Sequence, residues 1–198
     1  MEDSRIIEPV AGDPHVVKTL ARAFQDDPAL AWLLPDAKTR ARRLLPFFET
    51  MQAQCQRAGE VLASPGREAA ALWYPPGEVK HSVWANLRDN LAMVRVFGRA
   101  LGRGLALAEK MHAHHPSPQP YWYLRYVGVA PEEQGKGWGS ALVRAGIERA
   151  ARHGCGSLLE TATPSNVAIY ARLGFEILSE WGAPNGGPHF WTMVRPLD

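Results

Sequence analysis

Cysteine is nearly absent. Cys55 and Cys155 are the only two in 198 residues, too few for a disulfide framework, and their spacing does not tell whether they pair. Long apolar runs are missing as well. None approaches the roughly 18 residues a membrane-crossing helix needs, and the acidic start Met1-Glu2-Asp3 does not resemble a secretory leader. Charge of one sign is scarce: 22 Lys and Arg against 20 Asp and Glu leave a formal +2, too little to argue for nucleic acid or a membrane as partner. Repeats and low-complexity tracts do not occur. His112, His114 and His115 lack the spacing and third ligand of a zinc site, so no metal is expected and the three read as loop histidines before Pro116. These absences lead to the expectation of a reduced, cytoplasmic protein.

What remains is an ordinary globular composition, 46% apolar and 21% charged, over a length that suits one domain spanning residues 1–198. A short apolar run at 6–10 predicts a first strand. Asp13-Pro14, a cap with proline at the first helical position, opens a helix to about residue 25. Asp26-Asp27-Pro28 breaks it, residues 29–34 form a short apolar turn, and residues 39–57 a further helix that Pro46 should kink or divide. Strands are predicted at 60–63 and 68–74 around Ser64-Pro65-Gly66. Residues 84–112 read as two helices interrupted by glycines, forming an insertion over about 84–117. A strand at 121–129, a helix at 140–152, a strand at 157–161, a short helix at 166–172 and an antiparallel pair at 175–181 and 190–195 complete the chain. The order β-αα-ββ-αα-β-α-β-α-ββ is a mixed α+β layout.

The densest signal is Gln134-Gly135-Lys136-Gly137-Trp138-Gly139, set between a strand and a helix start. Glycine allows positive φ and close backbone approach. The first amides of a helix lack intrahelical partners and sit at the positive end of the macrodipole, which favours a pyrophosphate. Two phosphate-binding patterns fit poorly. A P-loop would need glycine where Ala130 stands and Ser or Thr where Gly137 stands. A dinucleotide fingerprint would need glycine at Ser140 and an acidic residue ending a second strand, whereas Glu160 lies inside its strand.

Gln134, Gly137 and Gly139 satisfy the acetyl-CoA loop signature of the GNAT superfamily, the GCN5-related N-acetyltransferases. Val127-Gly128-Val129-Ala130-Pro131 is similar to that family's splayed fourth strand, and Asn166 with Tyr170-Ala171-Arg172-Leu173-Gly174-Phe175 to its second cofactor-facing element. The resemblance runs over 121–175, the cofactor-binding core, and is closest in type to puromycin N-acetyltransferase and related small-molecule enzymes. It implies a mostly antiparallel twisted sheet splayed at the fourth and fifth strands, with acetyl-CoA as co-substrate. It also implies transfer to a primary amine of a small molecule by direct attack in a ternary complex. A protein N-terminal or lysine acetyltransferase and a non-catalytic acyl-CoA sensor stay open. So does the choice between monomer and homodimer.

Cofactor contacts are expected from Val127, Gly128, Val129, Gln134, Gly135, Lys136, Gly137, Trp138, Gly139, Ser140 and Asn166. The strand residues would offer backbone amides to the pantetheine arm. Asn166 doubles as a helix cap, and Trp138 and Lys136 have ordinary packing and solvation as rival roles. By resemblance, Tyr170 protonates the departing sulfur. Glu160 is a carboxylate inside an apolar strand, so it must face a cavity or a partner; it is read as general base, with a structural salt bridge as the alternative. Asp26, Trp84 and Tyr121 are the candidate acceptor contacts.

Overall fold

The computed structural model describes residues 5–77, 87–116 and 121–197. Trp84 therefore lies outside the described residues. In chain order the elements are β1 (Glu8–Pro9), α1 (Pro14–Ala23), α2 (Pro28–Leu33), α3 (Ala37–Ala58), β2 (Glu60–Ala63), β3 (Ala69–Tyr74), α4 (Leu87–Phe97) and α5 (Leu101–Ala113). They continue with β4 (Tyr121–Val129), α6 (Trp138–Arg152), β5 (Gly156–Thr161), α7 (Pro164–Ala171), β6 (Glu176–Gly182) and β7 (His189–Arg195).

Capping chemistry places the early helices. Asp13 accepts from the His15 amide at the start of α1, Asp27 from Ala29 and Leu30 at α2, and Asp36 from Thr39 at α3. The chain does break at Asp26-Asp27-Pro28, between α1 and α2, and Asp27 caps the second helix, where negative charge is favoured. Pro46 does not divide α3, which runs 22 residues through it. The lost hydrogen bond costs about 3 kcal/mol. Burial of Leu44, Phe47, Phe48 and Met51, each worth about 1.5–3 kcal/mol, outweighs it.

The seven strands form one sheet in the order β1-β2-β3-β4-β5-β7-β6, antiparallel throughout except for the parallel pair β4–β5. Helices cover both faces. Ala70, Leu72 and Tyr74 of β3 join the core under α1 and α3, while Ala69, Ala71 and Trp73 join the one under α6 and α7. The expected mixed sheet, splayed between fourth and fifth strands, is what the chain forms.

The splay has a local cause. Leu72 pairs with Tyr126 and Trp73 with Leu124, which leaves Arg125 as the extra residue of a β-bulge. A bulge bends its strand and increases its twist. β4 pairs with β5 only from Tyr121 to Leu124, opposite Gly156 to Leu159, and beyond the bulge the two strands part. The small residue Gly128 serves a different purpose from a bulge. A Cβ there would sit 2.8 Å from the Cβ of Ala23, so glycine is what lets α1 pack onto β4.

Candidate active site

Two structures flank the parting of β4 and β5. The first is the glycine turn. Ala130 donates its amide to the Glu68 carbonyl at 2.7 Å, tying the end of β4 to the sheet. Gln134 donates from Nε2 to the Val129 carbonyl at 3.2 Å, closing the turn on itself. Gly135 and Gly137 have φ of 75° and 85°, a region that L side chains enter only at a cost. Gly137 is the left-handed N-cap of α6, and it offers no side chain to the helix amides. The first intrahelical bond is Ala141 amide to Gly137 carbonyl, so the amides of Trp138, Gly139 and Ser140 lack partners inside the helix. Lys136 pairs with Glu133 at 2.9 Å on the exposed rim. Trp138 packs partly into the core under α6, with the Arg5 guanidinium 5.4 Å from its ring centroid.

The second is a cavity of about 790 Å³ at the gap, lined by residues from both faces of the sheet. Val127 from β4, and Asn166 and Tyr170 from α7, line it where the strands separate. Asn166 lies within the first turn of α7, which Thr163 caps, so it is not the cap residue itself. Glu160 also lines the cavity, from a strand whose pairing with β7 places Thr192 opposite. Its carboxylate is 1% exposed, and Oε1 lies 2.5 Å from Nε2 of His115. Oε2 is buried without a hydrogen-bond partner among the described residues. A carboxylate at Nε2 fixes the imidazole tautomer that carries its proton there and puts the lone pair on Nδ1. Tyr123 completes this floor, its ring 5.0 Å from that of His115. Burial, and then the charge of Glu160, hold its phenol well above the ordinary pKa.

Tyr170 is 7% exposed and meets Phe175 edge-on at 6.0 Å. Burial alone raises its pKa, so the phenol keeps its proton at neutral pH.

Of the expected site residues, Val127, Glu160, Asn166 and Tyr170 converge on the cavity, 134–137 form the exposed turn, and 138–140 are the half-buried start of α6. Asp26 and Tyr121 do not converge. The Asp26 side chain is 93% exposed, 3.7 Å from Arg40; its neighbour Asp27, turned inward by capping α2, is the one that lines the cavity. Tyr121 begins β4 at the paired end, away from the splay, and packs against Gly156. The aromatic wall comes instead from Phe24, Phe47, Phe97 and Tyr126, in edge-to-face contact through Phe48 and one another.

Two cavity residues escape a reading of the sequence, His115 and Arg125. His115 is not a bystander in a loop. The turn after α5 carries it onto Glu160, 45 positions away in the chain. Arg125 did carry a signal, as the one charge within Tyr123-Leu124-Arg125-Tyr126 of a buried strand.

A seven-stranded sheet parted at its one parallel pair, with a glycine turn and a helix N-terminus beside the gap, is the fold of an acyl-CoA-type transferase. The model of the GNAT acetyltransferase family matches residues 98–175 of this chain. A Corynebacterium glutamicum structure described as histone acetyltransferase HPA2 and related acetyltransferase is 26% identical, with a TM-score of 0.72 over 97% of this chain and 96% of that one. An uncharacterized N-acetyltransferase of Schizosaccharomyces pombe is 28% identical over 167 residues, 79% of this chain and 68% of that protein. The mycothiol acetyltransferase of Pseudarthrobacter chlorophenolicus is 35% identical over 95 residues, which span 46% of this chain and 28% of that protein. Among the described residues no helix is long and apolar enough to cross a membrane.

Proposed function

We propose that the protein transfers an acetyl group from acetyl-CoA to a primary amine of a small molecule, by direct attack in a ternary complex. The observation that carries this reading is the cavity itself. It opens where β4 and β5 part, beside the glycine turn, and holds a buried His115–Glu160 pair and a protonated Tyr170 on its lining.

The residues suit the co-substrate. Amides 138–140 and the positive end of α6 match a pyrophosphate. The edge of β4 beyond Leu124 has lost its β5 partner, so its backbone groups suit the amides of a pantetheine arm. Val127 and Asn166 stand on either side of that gap. Bound there, acetyl-CoA supplies an activated acyl group as a thioester.

The chain's own groups then manage two protons. An alkylamine has a pKa near ~10.4 and arrives charged. The His115–Glu160 pair takes the proton, and the amine's hydrogens meet the unpaired Oε2 of Glu160. As the N–C bond forms and the C–S bond breaks, the Tyr170 phenol gives its proton to the sulfur, and the second proton shed by the attacking nitrogen restores the phenol by way of solvent. Tyr123 and the apolar walls keep water away from the thioester. A covalent acetyl-cysteine route has no support: burial pushes the Cys55 thiol up to about 12, which keeps it un-ionised at neutral pH. A partly open cavity of this size with mostly apolar walls suits a small molecule.

Thiol release from acetyl-CoA, followed against a panel of small amines and N-terminal peptides, tests the reading. Turnover with small amines and none with peptides is the expected result. Calorimetric CoA binding without turnover of any amine would favour a sensor and overturn the enzyme.

A further inference from the structure

Acetyl transfer gives duties to His115, Glu160 and Tyr170 and none to another charged group of the cavity, the guanidinium of Arg125. The bulge in β4 is what brings it there. Strand alternation would turn residues 125 and 126 to opposite faces, but with an extra residue inserted both line the same cavity. Nη1 of Arg125 is fully buried and has no hydrogen-bond partner among the described residues. What faces it is aromatic: the ring centroids of Tyr74 and Tyr126 lie 5.7 and 5.8 Å from its central carbon, and the guanidinium hydrogen-bonds the Tyr126 phenol.

A guanidinium cannot escape burial by losing its proton. A buried charge is disfavoured unless paired, and the quadrupoles of two rings offset that cost only in part. Of the three cavity carboxylates, two are committed elsewhere and the third, Glu109, lies on α5. Asp27 accepts from the amides of Ala29 and Leu30, and Glu160 holds His115. Arginine presents its N–H donors as a planar fork that matches the two oxygens of a carboxylate. The remaining wall is apolar and roomy, built from Leu30, Leu33, Phe47, Met51, Phe97 and Met111, with unbranched methionines that adapt to irregular shapes.

We infer that the acceptor is an amine carrying a carboxylate close to the nitrogen and a bulky apolar group, an apolar α-amino acid or near derivative. Its carboxylate sits on Arg125, and its side chain lies among α2, α3 and α5. Its amine then faces the His115–Glu160 pair. The fate of the amine rests on the acetyl-transfer reading; the carboxylate site does not.

Binding to the full chain without acetyl-CoA tests the site by itself. Calorimetry should show hydrocinnamate binding more tightly than its neutral isostere hydrocinnamamide and more tightly than propionate, by roughly tenfold or more in each case. Arg125→Met should abolish the preference for the acid over the amide, and Arg125→Lys, charged but without the fork, should keep only part of it. Both variants should melt cooperatively, since Arg125→Met removes an unpaired buried charge. In thiol-release assays the kcat/KM ratio of phenylalanine to phenethylamine should exceed about ten in the wild type and fall toward one in Arg125→Met. Equal binding of acid and amide by the wild type, or a preference that survives in a folded Arg125→Met, overturns the inference. Thiol release with no preference for carboxylate-bearing amines overturns it while leaving acetyl transfer standing. An Arg125-dependent acid preference without turnover of any amine does the reverse.

Discussion

The glycine turn and the cavity both adjoin the gap between β4 and β5 and are built in opposite ways. The turn is a contiguous, exposed stretch whose working groups are backbone amides. The cavity is assembled from side chains of α2, α3, α5, β4, β5 and α7, and its central contact joins residues 45 positions apart. A backbone site needs only the residue types that permit its φ and ψ. A side-chain site needs several elements in register, and its chemistry changes with any one of them. The contrast teaches that the turn suits the part of the reaction common to acyl-CoA chemistry, while the cavity holds what is particular to this chain.

Substitutions can break that contrast in a graded way. The largest effect is expected from His115→Ala, which removes half of the proton-accepting pair. It should lower kcat by about 10²–10⁴-fold, the range of general base catalysis, with CoA affinity unchanged in calorimetry. A fall in CoA affinity instead would mean that turn and cavity are not separable. Tyr170→Phe keeps the ring and its packing on Phe175 but removes the proton donor. Single-turnover kinetics should show a loss of about 10²-fold, with CoA still bound.

Gly137→Val tests the other end. A β-branched residue at φ 85° carries roughly 1–2 kcal/mol of strain. CoA affinity should drop about tenfold, while hydrocinnamate binding to the cavity stays as in the wild type. The smallest effect is expected from Asp27→Asn. Burial first raises the Asp27 pKa above 3.8, and its bonds from Leu30 and Ala29 offset this in part. A raised folded pKa means that Asp27 contributes fully to stability below about 3.8 and loses that contribution as pH climbs through the folded value. At pH 7 its ionised form is a burden, and asparagine caps a helix about as well. Asp27→Asn should therefore raise the melting temperature at pH 7 by roughly 2–4 °C, with the gain shrinking as pH approaches 4. Calorimetric melts across that range check the sign.

Much of the fold was legible because its signals are local. Asp13-Pro14 marks a helix start by its own chemistry, and residues 121–129 read as a strand over the full span that β4 occupies. Pro46 misled because propensity acts on one hydrogen bond and the core on four large side chains. Asp26 and Asp27 are chemically alike in the sequence, and only the turn into α2 sends one to solvent and the other to the cavity. Tyr121 and Tyr123 differ by two positions on one strand. The end at which β5 pairs with β4 decides that the second, not the first, reaches the cavity.

The sequence by itself determined the glycine turn, the order of helices and strands, and the presence of a carboxylate and a phenol in elements beside the gap. Each depends on residues within a few positions of one another. Only the tertiary structure decided that His115 meets Glu160, that a bulge lies at Arg125 and leaves its Nη1 buried without a hydrogen-bond partner among the described residues, and that α2, α3 and α5 close an apolar room around them. The physical reason is that burial, ion pairing and cavity shape are properties of surfaces brought together across the chain, and no local run of residues encodes them.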